Sequence, residues 1–294
     1  MASNMPAAEV EITAGLVRSL LASQRPQLSD SEVTLLANGW DNVSFRVGEE
    51  LVARLPRRSI AASLIANEAR WLPDLASGLS LAVPVPLFVG APTDNYPWIW
   101  SLVPFIPGKP VDTTNDLDLS RAAEALGQFL RELHSPAPPD APENPYRGIA
   151  LAARDQPTRE RLRQLDSTID APALLRVWDA AVEVPTFGDE PVWLHGDLHP
   201  HNLLASAGHL TGVIDFGDIT SGDPATDLAV GWMLFPADVR AAFRVAHGRA
   251  DDETWQRARG WALSLATAYL AHSADNPGMN LIGTTTLDRL ARDA

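Results

Sequence analysis

Hydrophobic and polar positions change rhythm partway along the chain, and the change predicts two unlike halves. Over residues 31–57 the apolar residues alternate or form short β-branched runs, "SEVTLLANGW", "NVSFRVGE" and "ELVARLPR", broken by the turn pairs Asn38-Gly39 and Gly48-Glu49. A period of two is the mark of a half-buried strand, so three antiparallel strands are expected. The next run, "SIAASLIANEARWLPDLAS", carries apolar residues at helical spacing, with Ser59 as the expected N-cap and Pro73 as the expected end. Two further strand-like runs follow, "VPVPLFVG" and "WIWSLVPF". The stretch from Val103 to Val111, "VPFIPGKPV", is too dense in proline and glycine to prolong a sheet or a helix. It marks the expected boundary between residues 1–104 and 105–294.

Beyond that boundary the helical period dominates. "DLSRAAEALGQFLRELHS" places Ala123, Leu126, Phe129, Leu130 and Leu133 on one stripe. Further helical patterns run over 159–164, 173–184, 226–233, 238–245 and 252–273. Between them lie two short apolar segments that end on acidic residues, "PVWLHGD" and "LTGVIDFGD". The expected fold is α+β and bilobal: a small antiparallel sheet with one helix, then a larger, mainly helical lobe.

Composition narrows the setting. The 294 residues, 46% of them hydrophobic, suffice for one large domain or two lobes. With no cysteine there is no disulfide framework, zinc-thiolate site or cysteine nucleophile. The N-terminal segment lacks a basic stretch followed by an apolar one, and no run approaches the roughly 20 apolar residues of a membrane span. A cytoplasmic protein without a membrane partner is expected. The net charge of −14 disfavours nucleic acid, which is met by clustered Lys and Arg, and suits a small cationic ligand. Monomer and homodimer both stay open.

The chemistry concentrates in "HGDLHPHN", His195 to Asn202. Extended, this stretch would turn His195, Asp197, His199 and His201 the same way, as in a hydrolytic metal cage. Pro200 interrupts that alternation, and the distant His134, His209, His247 and His272 form no paired H-x-H or H-x-x-x-H. A phosphotransfer reading uses other atoms of the same stretch. The spacing D-x-x-x-x-N of a kinase catalytic loop is met by Asp197 and Asn202, and "GVIDFGD" supplies a second carboxylate, Asp215, at the end of a short apolar run.

The run "VWLHGDLHPHNLL...GVIDFGDITSGDPATDLA" resembles the aminoglycoside phosphotransferase family, kinase-like enzymes that include macrolide and small-metabolite kinases. The resemblance implies transfer of the γ-phosphate of ATP or GTP, with Mg²⁺, to a hydroxyl of a small molecule, foremost an aminoglycoside-type antibiotic. It makes Asp197 the base that receives the hydroxyl, Asn202 and Asp215 the Mg²⁺ ligands, and Asp227 a support of the catalytic loop. Asp218 is either catalytic or a turn cap, and His195 and His199 are scaffold. In the first lobe Gly39 and Ser44 fall in a phosphate-covering loop, and Arg54 takes the place of the kinase lysine with Glu68 as its partner. The backbone from Pro104 to Ile106 faces the nucleotide base, where proline can only accept and Ile106 can donate. A macrolide or an amino sugar or amino alcohol is the alternative acceptor, and a non-catalytic nucleotide-binding module is the alternative of another class.

Overall fold

A computed structural model describes residues 5–165, 168–273 and 275–294. In the first lobe, strands β1 (Val33–Asn38), β2 (Asn42–Val47), β3 (Leu51–Pro56), β4 (Phe88–Gly90) and β5 (Trp100–Pro104) form one antiparallel sheet in the order β1-β2-β3-β5-β4. Alternation in β2 buries Val43, Phe45 and Val47 beneath the sheet and leaves Ser44 toward the other face. Under that sheet lies α1 (Ala14–Gln24), which sequence periodicity did not single out. It is short and weakly amphipathic, and it adds Val17, Leu20 and Leu21 to a core with Leu55, Tyr96 and Trp100.

Helix α2 (Ser59–Ala76) differs from expectation at both ends. Arg58 occupies the N-cap without a side-chain cap bond, while Ser59 N–H donates to the Glu9 carboxylate at 3.1 Å. A carboxylate from a distant segment thus does what the local serine was expected to do, and it also meets the positive end of the helix dipole. Pro73 lies inside the helix, which continues to Ala76; burial of Leu72 in the core of the second lobe holds the last turn in place.

The second lobe contains β6 (Lys109–Pro110), α3 (Leu119–Leu133), α4 (Asp155–Leu165), α5 (Ala171–Val182), β7 (Val192–Leu194), β8 (Leu203–Ser206), β9 (His209–Val213), β10 (Thr220–Gly222), α6 (Ala225–Leu228), α7 (Val230–Leu234), α8 (Ala237–His247), α9 (Asp252–His272) and α10 (Pro277–Arg292). The expected stripe of α3 is fully buried. Gly127 lets α3 approach α8 closely, because a Cβ there would lie 2.6 Å from that of Ala246. The pattern expected as one helix over 226–233 is split at Ala229 into α6 and α7. Trp178, Trp261, Phe129 and Phe216 dominate the core of this lobe. Among the described residues no helix is long and apolar enough to cross a membrane.

Candidate active site

Three short elements of the second lobe carry the site. After β7, Gly196 turns the chain with φ +86, and a Cβ there would lie 2.2 Å from the Asp218 carbonyl oxygen; only glycine fits so near a second loop. Asp197 follows, and Pro200–Asn202 coils into one 3₁₀ turn. That turn ends the alternation that a histidine cage needs. His195 donates through Nε2 to Ile214 O at 2.9 Å and accepts the Asp197 N–H at its Nδ1, while His201 contacts Asp112 at 3.0 Å. Among the described residues no group of three or more His, Asp or Glu is arranged to hold a metal.

The 3₁₀ turn brings Asn202 back onto the loop, where its Nδ2 donates to Asp197 O at 2.9 Å and leaves Oδ1 without a protein donor among the described residues. Asp215 follows β9 in the left-handed region, φ 64, a conformation aspartate tolerates better than most residues. Its carboxylate is half exposed, with Oδ1 accepting from Arg54 Nη2 at 2.8 Å. Arg54 in turn forms a buried ion pair with Glu68 of α2. Burial alone would lower the Arg54 pKa; the charges of Glu68 and then Asp215 outweigh it and hold the guanidinium above its ordinary value. Ser44 and Ser101 flank Arg54 in the neighbouring strands, so the three share one register line across the sheet.

The loop between β1 and β2 is held from below by two consecutive arginines. Arg57 Nη1 donates to Gly39 O at 3.1 Å, and Arg58 pairs with Asp41 at 2.7 Å. Gly39 N–H closes the hairpin on Asn42 O at 2.9 Å. Burial, and then repulsion from Asp215 and Asp197, raises the Asp41 pKa, against the pull of Arg58. Asp41 is thus exposed to the charges of Asp215 and Asp197. Pro104 pairs with Leu51 at the end of β5, Phe105 N–H donates to Glu50 O at 2.7 Å, and Ile106 is buried against Gly212.

Around Asp197 the structure adds Arg147, Asn144 and Tyr269, and gives His199 and Asp218 their contacts. Arg147 Nη2 donates to Asp197 Oδ1 at 3.0 Å, and His199 Nε2 lies 3.4 Å from Oδ2. Burial would raise this carboxyl, but His199 and Arg147 reverse that and hold it far below the ordinary range. Asp218 accepts from Asn144 Nδ2 at 2.7 Å, and burial followed by the charge of Asp197 raises its pKa. Two neighbouring carboxyls are thus pushed apart. Buried Tyr269 of α9 stands edge-on to His199, ring centroids 5.8 Å apart, and its hydroxyl has no partner among the described residues. Arg147 and Tyr269 are 50 and 72 residues from Asp197, and no local motif marks either.

Beneath the loop, Asp227 accepts the backbone N–H of His195 at 2.7 Å and that of Gly196 at 2.9 Å. His134 Nε2 meets the same carboxylate at 3.3 Å, and its Nδ1 lies 3.1 Å from His247 Nε2. A fully buried relay therefore ties the loop to the ends of α3 and α8. No local spacing marks the pairing of its two histidines, which are 113 residues apart.

Residues 32–261 match the phosphotransferase enzyme family APH. The chain belongs to that family. This APH-family protein is 27% identical to the viomycin phosphotransferase of Streptomyces vinaceus over 72% of this chain and 77% of that one. Its fold superimposes on the GDP and kanamycin complex of APH(2″)-IIIa with a TM-score of 0.72, 21% identity, and 95% and 99% of the two chains covered. A macrolide 2′-phosphotransferase from Brachybacterium faecium gives 0.62 at 22% identity, covering 94% and 97%. The kinase-like fold with a sheet lobe and a helical lobe is thereby shown.

Proposed function

We propose that this APH-family phosphotransferase moves the γ-phosphate of ATP or GTP to a hydroxyl of a small molecule. One observation carries the reading: Asp215 pairs with Arg54 and Arg54 with Glu68, joining the two lobes, while the Ile214 N–H next to Asp215 donates to Asn202 O at 2.9 Å and Asn202 Nδ2 donates to Asp197 O, so that these groups converge. In this reading the lobes divide at residues 104 and 105, and the acceptor hydroxyl meets Asp197. Its oxygen forms a bond to the γ-phosphorus as the bond to the β–γ bridging oxygen breaks, the nucleoside diphosphate leaves, and the hydroxyl proton passes to Asp197.

Arg147 and His199 fix the Asp197 carboxylate in place, so that it orients the hydroxyl before it receives the proton. Arg54 is held between two carboxylates at the sheet face, where a guanidinium can also meet phosphate oxygens. Ser44 and the Gly39 loop cover the phosphates, and the backbone at Pro104 and Ile106 receives the base. The free Oδ1 of Asn202 and the exposed carboxylate of Asp215 are hard oxygen donors that fit Mg²⁺, a cation for which few protein ligands suffice beside phosphates and water. Bound there, Mg²⁺ would neutralise charge on the phosphates.

The net charge and the likeness to viomycin phosphotransferase and to a kanamycin-bound structure support a cationic acceptor of the aminoglycoside type. The test is nucleotide turnover across acceptor classes, with product mass as the readout and Asp197→Asn as the blank. Nucleotide binding without transfer to any acceptor would favour the non-catalytic module.

A further inference from the structure

Asp227, the carboxylate beneath the catalytic loop, is fully buried and meets only N–H groups: those of His195 and Gly196, and Nε2 of His134. Among the described residues no arginine or lysine pairs with it. A buried carboxylate without such a counter-ion depends on every donor it has. Followed outward, the His134 contact leads to His247 at the end of α8. Gly248, with φ 64, closes that helix and turns the chain so that Ala250 N–H comes back onto the His247 ring at 3.4 Å.

These contacts fix where each proton lies. The Ala250 N–H donates to His247 Nδ1, so that nitrogen accepts and the ring carries its proton on Nε2. His247 Nε2 then donates to His134 Nδ1 at 3.1 Å. His134, accepting at Nδ1, carries its own proton on Nε2, which faces Asp227 Oδ2 at 3.3 Å. Every donor meets an acceptor while both rings stay neutral. The reverse tautomers fail at both ends: a bare His134 nitrogen would face the carboxylate, and a His247 N–H would face that of Ala250. A doubly protonated His134 fails at the Ala250 end alone. Packing holds the rings in this arrangement, with His247 edge-on to Trp255 at 6.0 Å between centroids and to His134 at 5.3 Å.

We infer that His247 is a positioning residue for the catalytic loop: as the donor to His134 Nδ1 it keeps the His134 proton on Asp227, and so holds His195, Gly196 and the adjoining Asp197 in place. The inference rests on Asp197 receiving the acceptor hydroxyl. His247 acts through successive hydrogen bonds, to His134, from His134 to Asp227, and from the two loop amides to Asp227. Without its donor, His134 Nδ1 is a buried acceptor with nothing to meet, and no contact fixes the ring's proton on Nε2. Asp227 then loses one of its three donors, and the loop amides lose a fixed partner. A small shift of Asp197 is enough to slow transfer, because misplacement by about 1 Å can cost about 10²-fold.

The test compares His247→Gln with His247→Asn in the full chain. Glutamine places an N–H where the imidazole Nε2 stands and still donates to His134, whereas asparagine matches Nδ1 and its amide stops short of His134. Transfer is followed with Mg²⁺, ATP or GTP, and kanamycin or an amino alcohol as acceptor, beside hydrogen exchange of the His195 and Gly196 amides. In His247→Asn, kcat should fall about tenfold or more while nucleotide KM stays within a factor of about two. The two amides should exchange about tenfold faster, as for one lost hydrogen bond. His247→Gln should keep both readouts within a factor of about three of the parent. Equal behaviour of the two variants in kcat and exchange overturns the inference, since a role in packing alone does not tell them apart. If His247→Asn does not fold, the imidazole nitrogen NMR shifts of the parent decide: protons on Nε2 of both His134 and His247 support the inference, and a proton on Nδ1 of either overturns it. Failure of the phosphotransfer reading shows separately, as a parent protein that forms no phosphorylated product; the amide exchange and the tautomers then still decide whether His247 holds the loop.

Discussion

Arg54 and Arg154 are accommodated in opposite ways. Arg54 is buried, and its guanidinium is matched by Glu68 and Asp215 before any ligand arrives. Arg154 is half-buried, with an aromatic ring beneath it and no carboxylate beside it among the described residues. The difference teaches that a cation's role is read from its partners. The first arginine is a joint between the sheet, α2 and Asp215, and in the proposed function it also meets phosphate oxygens. The second is left without a carboxylate partner among the described residues, its Nε buried and unpaired.

The largest expected effect comes from the catalytic carboxylate. Asp197→Asn should lower transfer by about 10³-fold, within the usual range for a residue that handles the proton, while nucleotide affinity stays within a factor of about two. Steady-state turnover and nucleotide titration check the two halves of that statement. Next comes Arg54→Ala, which strands Glu68 as a buried charge and should destabilise the fold by about 3–5 kcal/mol in denaturant titration. It should also weaken nucleotide binding.

The pH dependence of stability tests the relay under the loop. Burial, with His134, Arg249 and Arg131 adding repulsion, lowers the pKa of His247 from 6.5 to about 3. Between those values the unfolded chain binds the proton and the folded chain does not. The contribution of His247 is therefore fully present above about pH 6.5 and is lost as pH falls toward 3, with a slope approaching ~1.4 kcal/mol per pH unit. His247→Gln should flatten that part of the curve; an unchanged slope would remove His247 as its source. The smallest effect sharpens the comparison itself: Arg154→Ala should change stability by less than about 0.5 kcal/mol, or raise it, in contrast to Arg54→Ala. A loss comparable to that of Arg54→Ala would make Arg154 a structural group.

Much of this was legible in the chain because the signals are local. The period of two in β2, the buried stripe of α3 and the spacing of Asp197, Asn202 and Asp215 all act over a few residues to a few turns. Whatever depends on distant partners was not legible. Glu9 caps α2 across 50 residues, Arg147 meets Asp197 across another 50, and His134 finds His247 across 113. The net charge says little about the site for the same reason: it sums over the surface, whereas the field at a site is set by nearby groups. Pro73 failed as a helix stop because the packing of Leu72 outweighs one lost backbone bond.

The central claim is that Asp197 receives a small-molecule hydroxyl for phosphoryl transfer, and product mass tests it most directly. The protein is incubated with Mg²⁺ and ATP or GTP against kanamycin, a macrolide and an amino alcohol, beside Asp197→Asn. The account expects one acceptor class to gain the mass of a single phosphoryl group, with the gain abolished in Asp197→Asn. Phosphorylated product formed equally well by Asp197→Asn, or nucleotide bound with no acceptor modified, would contradict it.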